Sequence, residues 1–249
     1  MQTVAKINQK IKEKIVLALD VDNVEEAKRL IVELKDYVGV FKVGLQLYTG
    51  CGAEIIEFMN AQKAEYFFDV KLMDIPNTVA KASENIIRSG ATFYNIHALG
   101  GYEMIKKSTT AAKATAKELG LKEPIILAVT VLTSISDDVL HNDFNIDKNA
   151  AEFALELAKL AKKGGVTGVV ASVWEARKIK EACGKDFKVL CPGIRPEWSA
   201  KDDQKRLATP TRAIEEGADY LVIGRAVTNA PDRVAAMQKI YDEIMEIKK

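Results

Sequence analysis

The 249-residue chain contains few cysteines and histidines, and their spacing suits neither redox chemistry nor metal binding. Its three cysteines, Cys51, Cys183 and Cys191, form no CxxC pair and no zinc ribbon, and their odd number argues against a disulfide framework. We therefore expect free thiols in a reducing, cytoplasmic compartment. The two histidines, His97 and His141, have no carboxylate partner at ligand spacing, so the sequence predicts no metal site.

Long apolar runs and an excess of one charge are also missing. The sequence has no stretch of about 18 apolar residues, so no membrane-spanning helix is expected. Residues 1–14 are polar and lysine-bearing, without the apolar segment of a signal peptide. The net charge is +1, which indicates neither a basic surface for nucleic acid nor an acidic disordered tail.

Short apolar runs alternate with amphipathic stretches along the chain. Each run is rich in Val, Ile or aromatic residues, as buried parallel strands are, and the intervening stretches have helical spacing. This alternation predicts an α/β fold, a (β/α)8 barrel, with a doubly wound open sheet as the alternative. We expect one domain over residues 1–249, with residues 1–13 as an N-terminal extension before the first strand. The eight runs are Ile15–Val21, Val40–Leu45, Tyr66–Leu72, Phe93–Leu99, Ile125–Leu132, Val166–Ser172, Lys188–Ile194 and Tyr220–Val227.

Local signals indicate where helices and loops should lie. Asn23, followed by Glu26 three residues later, is a capping signal for the first long helix. Pro76 suits the first turn of the helix after the third strand. The longest irregular stretch runs from Arg195 to Ala208, and a loop of that length in a compact barrel is usually functional, often a lid.

Charged residues stand at the carboxyl ends of the first three predicted strands, where catalytic residues of α/β barrels lie. Because side chains alternate along a strand, Asp69 and Lys71 share the face that points into the barrel mouth. The same reasoning directs Asp20 and Lys42 into the mouth. The alternative is a buried salt-bridge network that only supports the fold, but such pairs give little net stability, so a functional role is favoured.

Further polar residues follow the third, seventh and eighth strands. Asp74 lies beyond the third strand and is either a favourable charge at a helix N-terminus or a further ionisable group of the site. Gly224 and Arg225 end the eighth run, at the usual phosphate position of this fold, although Arg225 could instead be a solvated surface residue. With Arg195 and Gln204 on the preceding loop, they are interpreted as contacts of a phosphate monoester.

These residues resemble the motifs of the orotidine 5′-phosphate decarboxylase family, most closely its compact bacterial form. The similarity covers nearly the whole chain after about residue 13, with the motifs in order. The pattern Asp69-x-Lys71-x-x-Asp74 alone is weakly diagnostic of the family. It becomes specific because Ile-Pro-Asn-Thr follows it directly. The matching segments are Leu19-Asp20, Phe41-Lys42-Val43-Gly44, Asp69-x-Lys71-x-x-Asp74-Ile75-Pro76-Asn77-Thr78, Pro192-Gly193-Ile194-Arg195, Asp203-Gln204, Val222-Ile223-Gly224-Arg225 and Thr228-Asn229-Ala230.

The resemblance implies decarboxylation of orotidine 5′-phosphate to UMP, the last step of pyrimidine synthesis, by a homodimer without metal or organic cofactor. It implies that Lys71 protonates C6, that Asp69 sits beside the substrate carboxylate, and that Asp20 and Lys42 hold the ribose. The catalytic group is then Lys42, Asp69, Lys71 and Asp74. The remaining implied contacts are Asp74, Ile75 and Thr78 from the partner subunit, Thr133 at the pyrimidine edge, and Gln204, Gly224 and Arg225 at the phosphate, with Arg195 on the closing loop.

Two other functions remain open at this stage. One is that of a sister enzyme of the same suprafamily, a metal-dependent sugar-phosphate decarboxylase or aldolase. Such enzymes look similar around Asp69, Lys71 and Asp74 but lack Ile-Pro-Asn-Thr. A non-catalytic nucleotide-binding barrel is expected to have lost Lys71 or Asp69, and both are present.

Overall fold

A computed structural model of the protein describes residues 8–199 and 207–247. Across these ranges eight parallel strands pair in chain order, and the eighth pairs with the first to close a barrel. Closure rules out the open-sheet alternative and confirms the predicted (β/α)8 barrel. The strands are β1 (Ile15–Ala18), β2 (Val40–Gly44), β3 (Tyr66–Leu72), β4 (Phe93–His97), β5 (Ile125–Val129), β6 (Gly168–Val170), β7 (Lys188–Cys191) and β8 (Tyr220–Ile223).

Every strand lies inside one of the predicted apolar runs, but most strands end before their run does. The fourth run is predicted to reach Leu99, whereas β4 ends at His97 and a 3-10 turn follows. The eighth is predicted to reach Val227, whereas β8 ends at Ile223 and a short helix begins at Arg225. Val227 is buried, and an apolar run does not distinguish a strand from a short buried helix.

Helices surround the barrel, and the two predicted helix starts are confirmed. Asn23 Oδ1 accepts a hydrogen bond from the Glu26 N–H at 2.8 Å, and Pro76 stands in the first turn of its helix. None of the helices in the described ranges combines the length and hydrophobicity needed to cross a bilayer. The helices are α1 (Gln9–Lys12), α2 (Val24–Leu34), α3 (Leu45–Cys51), α4 (Glu54–Ala61), α5 (Pro76–Arg88), α6 (Gly101–Glu118), α7 (Asp137–Asn142), α8 (Ala150–Gly164), α9 (Val173–Cys183), α10 (Pro210–Glu215), α11 (Arg225–Thr228) and α12 (Arg233–Glu246).

Two apolar layers follow from strand alternation. The larger layer packs the outward faces of the strands against the helices, as Tyr94 and Ile96 of β4 do. The smaller layer fills the barrel itself, and we call it the barrel floor because the mouth lies above it. Its buried members are Val16, Ala18, Val40, Phe67, Phe93, Leu127, Leu190 and Val222.

The predicted lid stretch, Arg195 to Ala208, begins and ends on paired backbone. Ile194 forms a parallel bridge with Ala208, and the Arg195 N–H donates to the Ala208 carbonyl at 2.9 Å. The Ala208 N–H donates in turn to the Gly193 carbonyl at 3.2 Å. The two ends of the loop are therefore fixed side by side above β7.

Candidate active site

The four charges predicted to converge at the barrel mouth do so, as an alternating chain of contacts. Lys42 Nζ lies 2.9 Å from Asp20 Oδ1 and 3.4 Å from Asp69 Oδ2. Lys71 Nζ lies 2.7 Å from Asp69 Oδ1. Each ammonium thus meets a carboxylate, and Asp69 bridges the two lysines. We call Asp20, Lys42, Asp69 and Lys71 the charge network.

The centre of the charge network is buried, whereas its ends reach solvent. Lys42 and Asp69 are 8% and 9% exposed, while Asp20 is exposed and Lys71 partly so. Burial opposes the charge on Lys42, but Asp69 and Asp20 outweigh it and raise the pKa of Lys42. Burial also opposes the charge on Asp69, but Lys42 and Lys71 outweigh it and lower the pKa of Asp69. These two groups therefore stay ionised at neutral pH.

Gly44 leaves the space that the Lys42 ammonium occupies. A Cβ atom at Gly44 would lie 2.7 Å from Lys42 Nζ and 3.4 Å from Asp20 Oδ1. The backbone of Gly44 is extended, with φ −93°, so the constraint at this position is the close approach of the Lys42 ammonium and not the backbone conformation.

The backbone at Lys71 departs from the regular strand that simple alternation assumes. Its φ is +53°, in the left-handed region that non-glycine residues seldom adopt. The pairing of β3 with β4 shifts register between Phe68 and Leu72, which accommodates the irregularity. The Lys71 side chain nevertheless reaches Asp69, so the two meet as predicted through a backbone geometry that was not predicted. Such strain costs about 1–3 kcal/mol and is concentrated at functional sites.

Asn95 is a site residue to which the sequence reasoning gave no role. It is fully buried on β4, where its Nδ2 donates to Asp69 Oδ1 at 2.6 Å. Its Oδ1 accepts a hydrogen bond from the Lys71 backbone N–H at 2.7 Å. Strand parity could have indicated it, because Asn95 stands two positions after Phe93 of the barrel floor.

His97, whose role the sequence left open, stands two positions further along β4 at the mouth. Burial and the nearby charge of Lys71 both lower the pKa of His97. Its Nδ1 accepts a hydrogen bond from the Leu99 N–H at 3.3 Å. His97 is therefore a neutral, half-buried side chain close to the charge network at pH 7.

Two adjoining cavities open beside the charge network. The larger, about 480 Å³, contains Asp20 and Lys42 and extends to Arg195, Gly224 and Arg225. A cavity of this size, with two arginines at one end and the carboxylates of Asp20 and Asp69 beside Lys42 at the other, suits a phosphorylated polar ligand.

The smaller cavity, about 160 Å³, shares Lys42 and Asp69 with the larger one. It adds Lys71 and Thr133 to a mainly apolar wall that includes Val129 and Leu132. A flat, mostly apolar ring fits such a wall, with polar contacts at its edge. A third cavity, about 570 Å³, lies at the opposite end of the barrel, where α/β-barrel enzymes do not place their chemistry.

Three residues of the predicted site lie outside this arrangement. Asp74, Ile75 and Thr78 are exposed, and none of them lines either cavity at the mouth. Asp74 Oδ1 accepts a hydrogen bond from the next backbone N–H, that of Ile75, at 2.6 Å. Ile75 is 68% exposed, the highest value among the exposed large apolar side chains of the described residues.

The remaining phosphate candidate, Gln204, lies outside the described residues. Within the described ranges, His, Cys, Asp and Glu side chains form no group of three or more suited to hold a metal ion.

Comparisons with known proteins agree with this geometry. The model of the "Orotidine 5′-phosphate decarboxylase / HUMPS family" matches residues 13–240. An orotidine 5′-phosphate decarboxylase from Syntrophomonas wolfei subsp. wolfei is 45% identical over 235 residues, covering 94% of this chain and 98% of that protein. One from Moorella thermoacetica is 42% identical, covering 97% of this chain and 96% of that protein.

A solved structure shows the same fold. The crystal structure of orotidine 5′-phosphate decarboxylase from Lactobacillus acidophilus superposes with a TM-score of 0.82 at 39% sequence identity, covering 92% of this chain and 98% of that one. The match of the family model to most of the chain, together with these relatives of nearly equal length, establishes the family. The chain therefore belongs to the orotidine 5′-phosphate decarboxylase / HUMPS family.

Proposed function

We propose that the protein decarboxylates orotidine 5′-phosphate to UMP, the last step of pyrimidine synthesis, without a metal or organic cofactor. One observation carries the proposal: the Lys71 ammonium lines the smaller cavity, 2.7 Å from the Asp69 carboxylate that both cavities share. A fixed cation at that point can stabilise a carbanion and then protonate it. Relatives with 41–45% identity that carry this name support the substrate.

The two cavities suit the parts of this substrate. The phosphate lies near Gly224 and Arg225, with Arg195 on the loop above it, and Gln204 is proposed as a further contact. Asp20 and Lys42 hold the ribose hydroxyls.

The pyrimidine enters the smaller cavity, where Thr133 meets its polar edge. This orientation directs the C6 carboxylate toward Asp69 and Lys71.

The reaction breaks the bond between C6 and the carboxylate carbon. Its electron pair stays on C6, and CO2 leaves as a neutral molecule. The Lys71 ammonium then donates a proton to C6, which completes UMP, and the resulting amine takes a proton from water. Asp69 holds the Lys71 ammonium in place until that transfer. Contacts with the remote phosphate can close the loop that begins at Arg195 and so favour the transition state.

An ultraviolet absorbance assay on orotidine 5′-phosphate in the presence of EDTA tests this function. We expect loss of the substrate spectrum with EDTA present. The two alternative functions predict that the spectrum stays unchanged under these conditions. A sugar-phosphate decarboxylase or aldolase needs a divalent metal, which EDTA removes, and a non-catalytic barrel does not convert the substrate. No turnover by the folded protein, with or without added divalent metal, would contradict the assignment.

We further propose a homodimer in which Asp74 completes the active site of the partner subunit. Asp74 lies beyond β3 and outside the mouth of its own barrel, next to the exposed Ile75. Several other large apolar side chains are exposed on loops and helix starts around the same mouth. They are Leu45, Met73, Leu99 and Phe144. A two-fold axis near this rim would bury these side chains and bring Asp74, Ile75 and Thr78 to the other subunit's charge network.

Mixing two inactive variants tests the shared site. If Lys71 and Asp74 of different chains form one site, a heterodimer of Lys71→Ala and Asp74→Ala contains one intact site and one with both lesions. Random exchange makes about half of the dimers mixed, so about a quarter of wild-type sites should return. Lys71→Ala mixed with Asp69→Asn is the matched control and should show no recovery, because those side chains meet within one chain. Absence of recovery in the first mixture as well would refute the shared site.

We propose a cytoplasmic location and a single domain over residues 1–249, with residues 1–13 as an N-terminal extension before the first strand. The proposed location rests on the sequence, in which three widely spaced cysteines give no disulfide framework. Cell fractionation with an antibody against the chain tests the location.

A further inference from the structure

We propose that Asn95 is a positioning residue that holds Lys71 and Asp69 in their working geometry. The inference rests on the decarboxylase function proposed above and extends it to a side chain that supports the charge network from β4. Asn95 touches the charge network but not the reacting atoms, so it would act through Lys71 and Asp69.

Asn95 uses both ends of its amide on these two residues. Nδ2 donates to Asp69 Oδ1 at 2.6 Å, the same oxygen that Lys71 Nζ contacts at 2.7 Å. Oδ1 accepts from the Lys71 backbone N–H at 2.7 Å. One buried side chain therefore links the carboxylate to the backbone of the lysine that pairs with it.

The Lys71 backbone needs such a contact. Its φ of +53° is unfavourable for a side chain with a Cβ, and it persists only where the surroundings enforce it. The register of β3 against β4 shifts at this point, so regular ladder pairing does not hold the segment. The Asn95 carbonyl oxygen replaces the missing partner of the Lys71 N–H.

A purely structural role explains Asn95 less well. Its neighbour in register on β5 is Leu127, an apolar member of the barrel floor, and Phe93 below it is also apolar. A leucine would fill the same position without the need for hydrogen-bond partners in the barrel. An amide is required only because one group must donate to a carboxylate while it accepts from an N–H.

Amide hydrogen exchange in the ligand-free protein tests the proposal without any substrate. Asn95→Leu keeps the volume but removes the acceptor, so exchange of the Lys71 N–H should become about tenfold faster or more. Asn95→Asp keeps an acceptor there and should retain most of the protection. Tyr94→Phe is the matched control, since Tyr94 is the next residue on β4, faces outward, and loses one buried hydrogen bond, to Ser108 Oγ. It should leave exchange at Lys71 unchanged.

Kinetics on orotidine 5′-phosphate then separate positioning from substrate binding. In Asn95→Leu we expect kcat to fall by about a hundredfold, because displacement of a catalytic group by about 1 Å has an effect of that order. KM should change by no more than about threefold, since the phosphate contacts lie on other strands. Tyr94→Phe should keep wild-type kcat.

The pH profile of Asn95→Asp gives a signature that a structural role would not produce. The introduced carboxylate faces Asp69, with Lys71, Lys42 and His97 as the other titratable groups around it. Protonation of that carboxyl restores a donor to Asp69. The activity of this variant relative to wild type should therefore rise as the pH falls, whereas the ratio for Tyr94→Phe should stay flat.

The outcomes distinguish the two proposals. Wild-type protein that is inactive on the substrate, with Lys71 exchange accelerated in Asn95→Leu, would overturn the function and support the positioning role. Active wild-type protein with unchanged Lys71 exchange and unchanged kcat in Asn95→Leu would overturn the positioning role alone. If Asn95→Leu fails to fold, Asn95→Asp decides through its Lys71 N–H exchange and its pH profile. An activity relative to wild type that does not change with pH in Asn95→Asp would contradict the inference.

Discussion

Replacement of Asp69 by asparagine removes the central charge of the network while keeping the shape of the side chain. We expect Asp69→Asn to fold but to lose stability at pH 7. The carboxylate bridges Lys42 at 3.4 Å and Lys71 at 2.7 Å, so the neutral amide leaves two ammonium groups without their shared counterion.

The size of the loss follows from the exposure of the two lysines. Removing one partner of a buried ion pair typically destabilises a protein by about 3–5 kcal/mol. Lys42 keeps its contact with Asp20 at 2.9 Å, and the Lys71 side chain, 31% exposed, can turn toward water. Both responses reduce the loss, so we expect the free energy of unfolding to fall by about 3 kcal/mol, at the lower end of that range.

The loss should depend on pH in a defined direction. The pKa of Asp69 is lowered in the folded state by Lys42 and Lys71, which outweigh burial. Its charge therefore stabilises the fold fully above the unfolded pKa, near 3.8, and this contribution is lost as the pH falls through the still lower folded pKa. The gap between wild type and Asp69→Asn should stay constant between pH 7 and pH 5 and close only in strong acid.

Urea unfolding at a series of pH values measures this gap. The control is Asp22→Asn, the same chemical change at the exposed Asp22, which accepts a hydrogen bond from Gln46 Nε2 at the same end of the barrel. It should change stability by no more than about 0.5 kcal/mol. The reasoning fails if Asp69→Asn is as stable as wild type at pH 7, or if its deficit is unchanged in acid.

Three further predictions concern activity and binding. Lys71→Ala should fold and lose at least about a hundredfold in turnover, since general acid catalysis contributes ~10²–10⁴-fold; a rate above about a hundredth of wild type would contradict the proton-donor role. Arg225→Ala should weaken UMP by roughly 1.5–3 kcal/mol in calorimetric titrations and leave uridine unaffected, and equal losses for both would exclude Arg225 as the phosphate contact. Gly44→Ala should fold but lower kcat/KM by about ten- to a hundredfold, because the new methyl group displaces Lys42 Nζ. Gly50→Ala, with only an ordinary contact at 3.8 Å, is its control and should keep full activity.

The periodicity of the sequence was sufficient to predict the barrel and the mouth of the site. Each of the eight apolar runs contains one strand, and strand parity correctly directed Asp69 into the mouth, since side-chain direction is fixed where the strand is regular. Lys71 reaches Asp69 as predicted, although the backbone at Lys71 itself is irregular. Strand ends were less predictable. The run containing β8 continues into α11, where Val227 is buried by a helix, so hydrophobicity alone extended the strand too far.

The parts that the sequence did not predict depend on pairing between distant segments. The left-handed backbone at Lys71 goes with a register shift against β4, and no local signal near residue 71 encodes it. Strand parity directs Asn95 toward the barrel interior, but its role depends on hydrogen bonds to Asp69 and Lys71, which lie 26 and 24 positions away in the chain. The assignment of Asp74 to a partner subunit came from a family resemblance, and it stays a prediction.

The packed barrel floor limits the route by which molecules enter and leave the site. Val16, Phe67, Leu127 and Leu190 fill the barrel beneath the charge network, so the mouth serves for both entry and exit. In the proposed reaction CO2 is released deep in the mouth, beneath a nucleotide that the protein binds through its phosphate. The gas must pass the rim, where the loop beginning at Arg195 is anchored by the Ile194–Ala208 bridge. In the proposed reaction, the residues at the rim that hold the nucleotide therefore also border the route by which CO2 leaves.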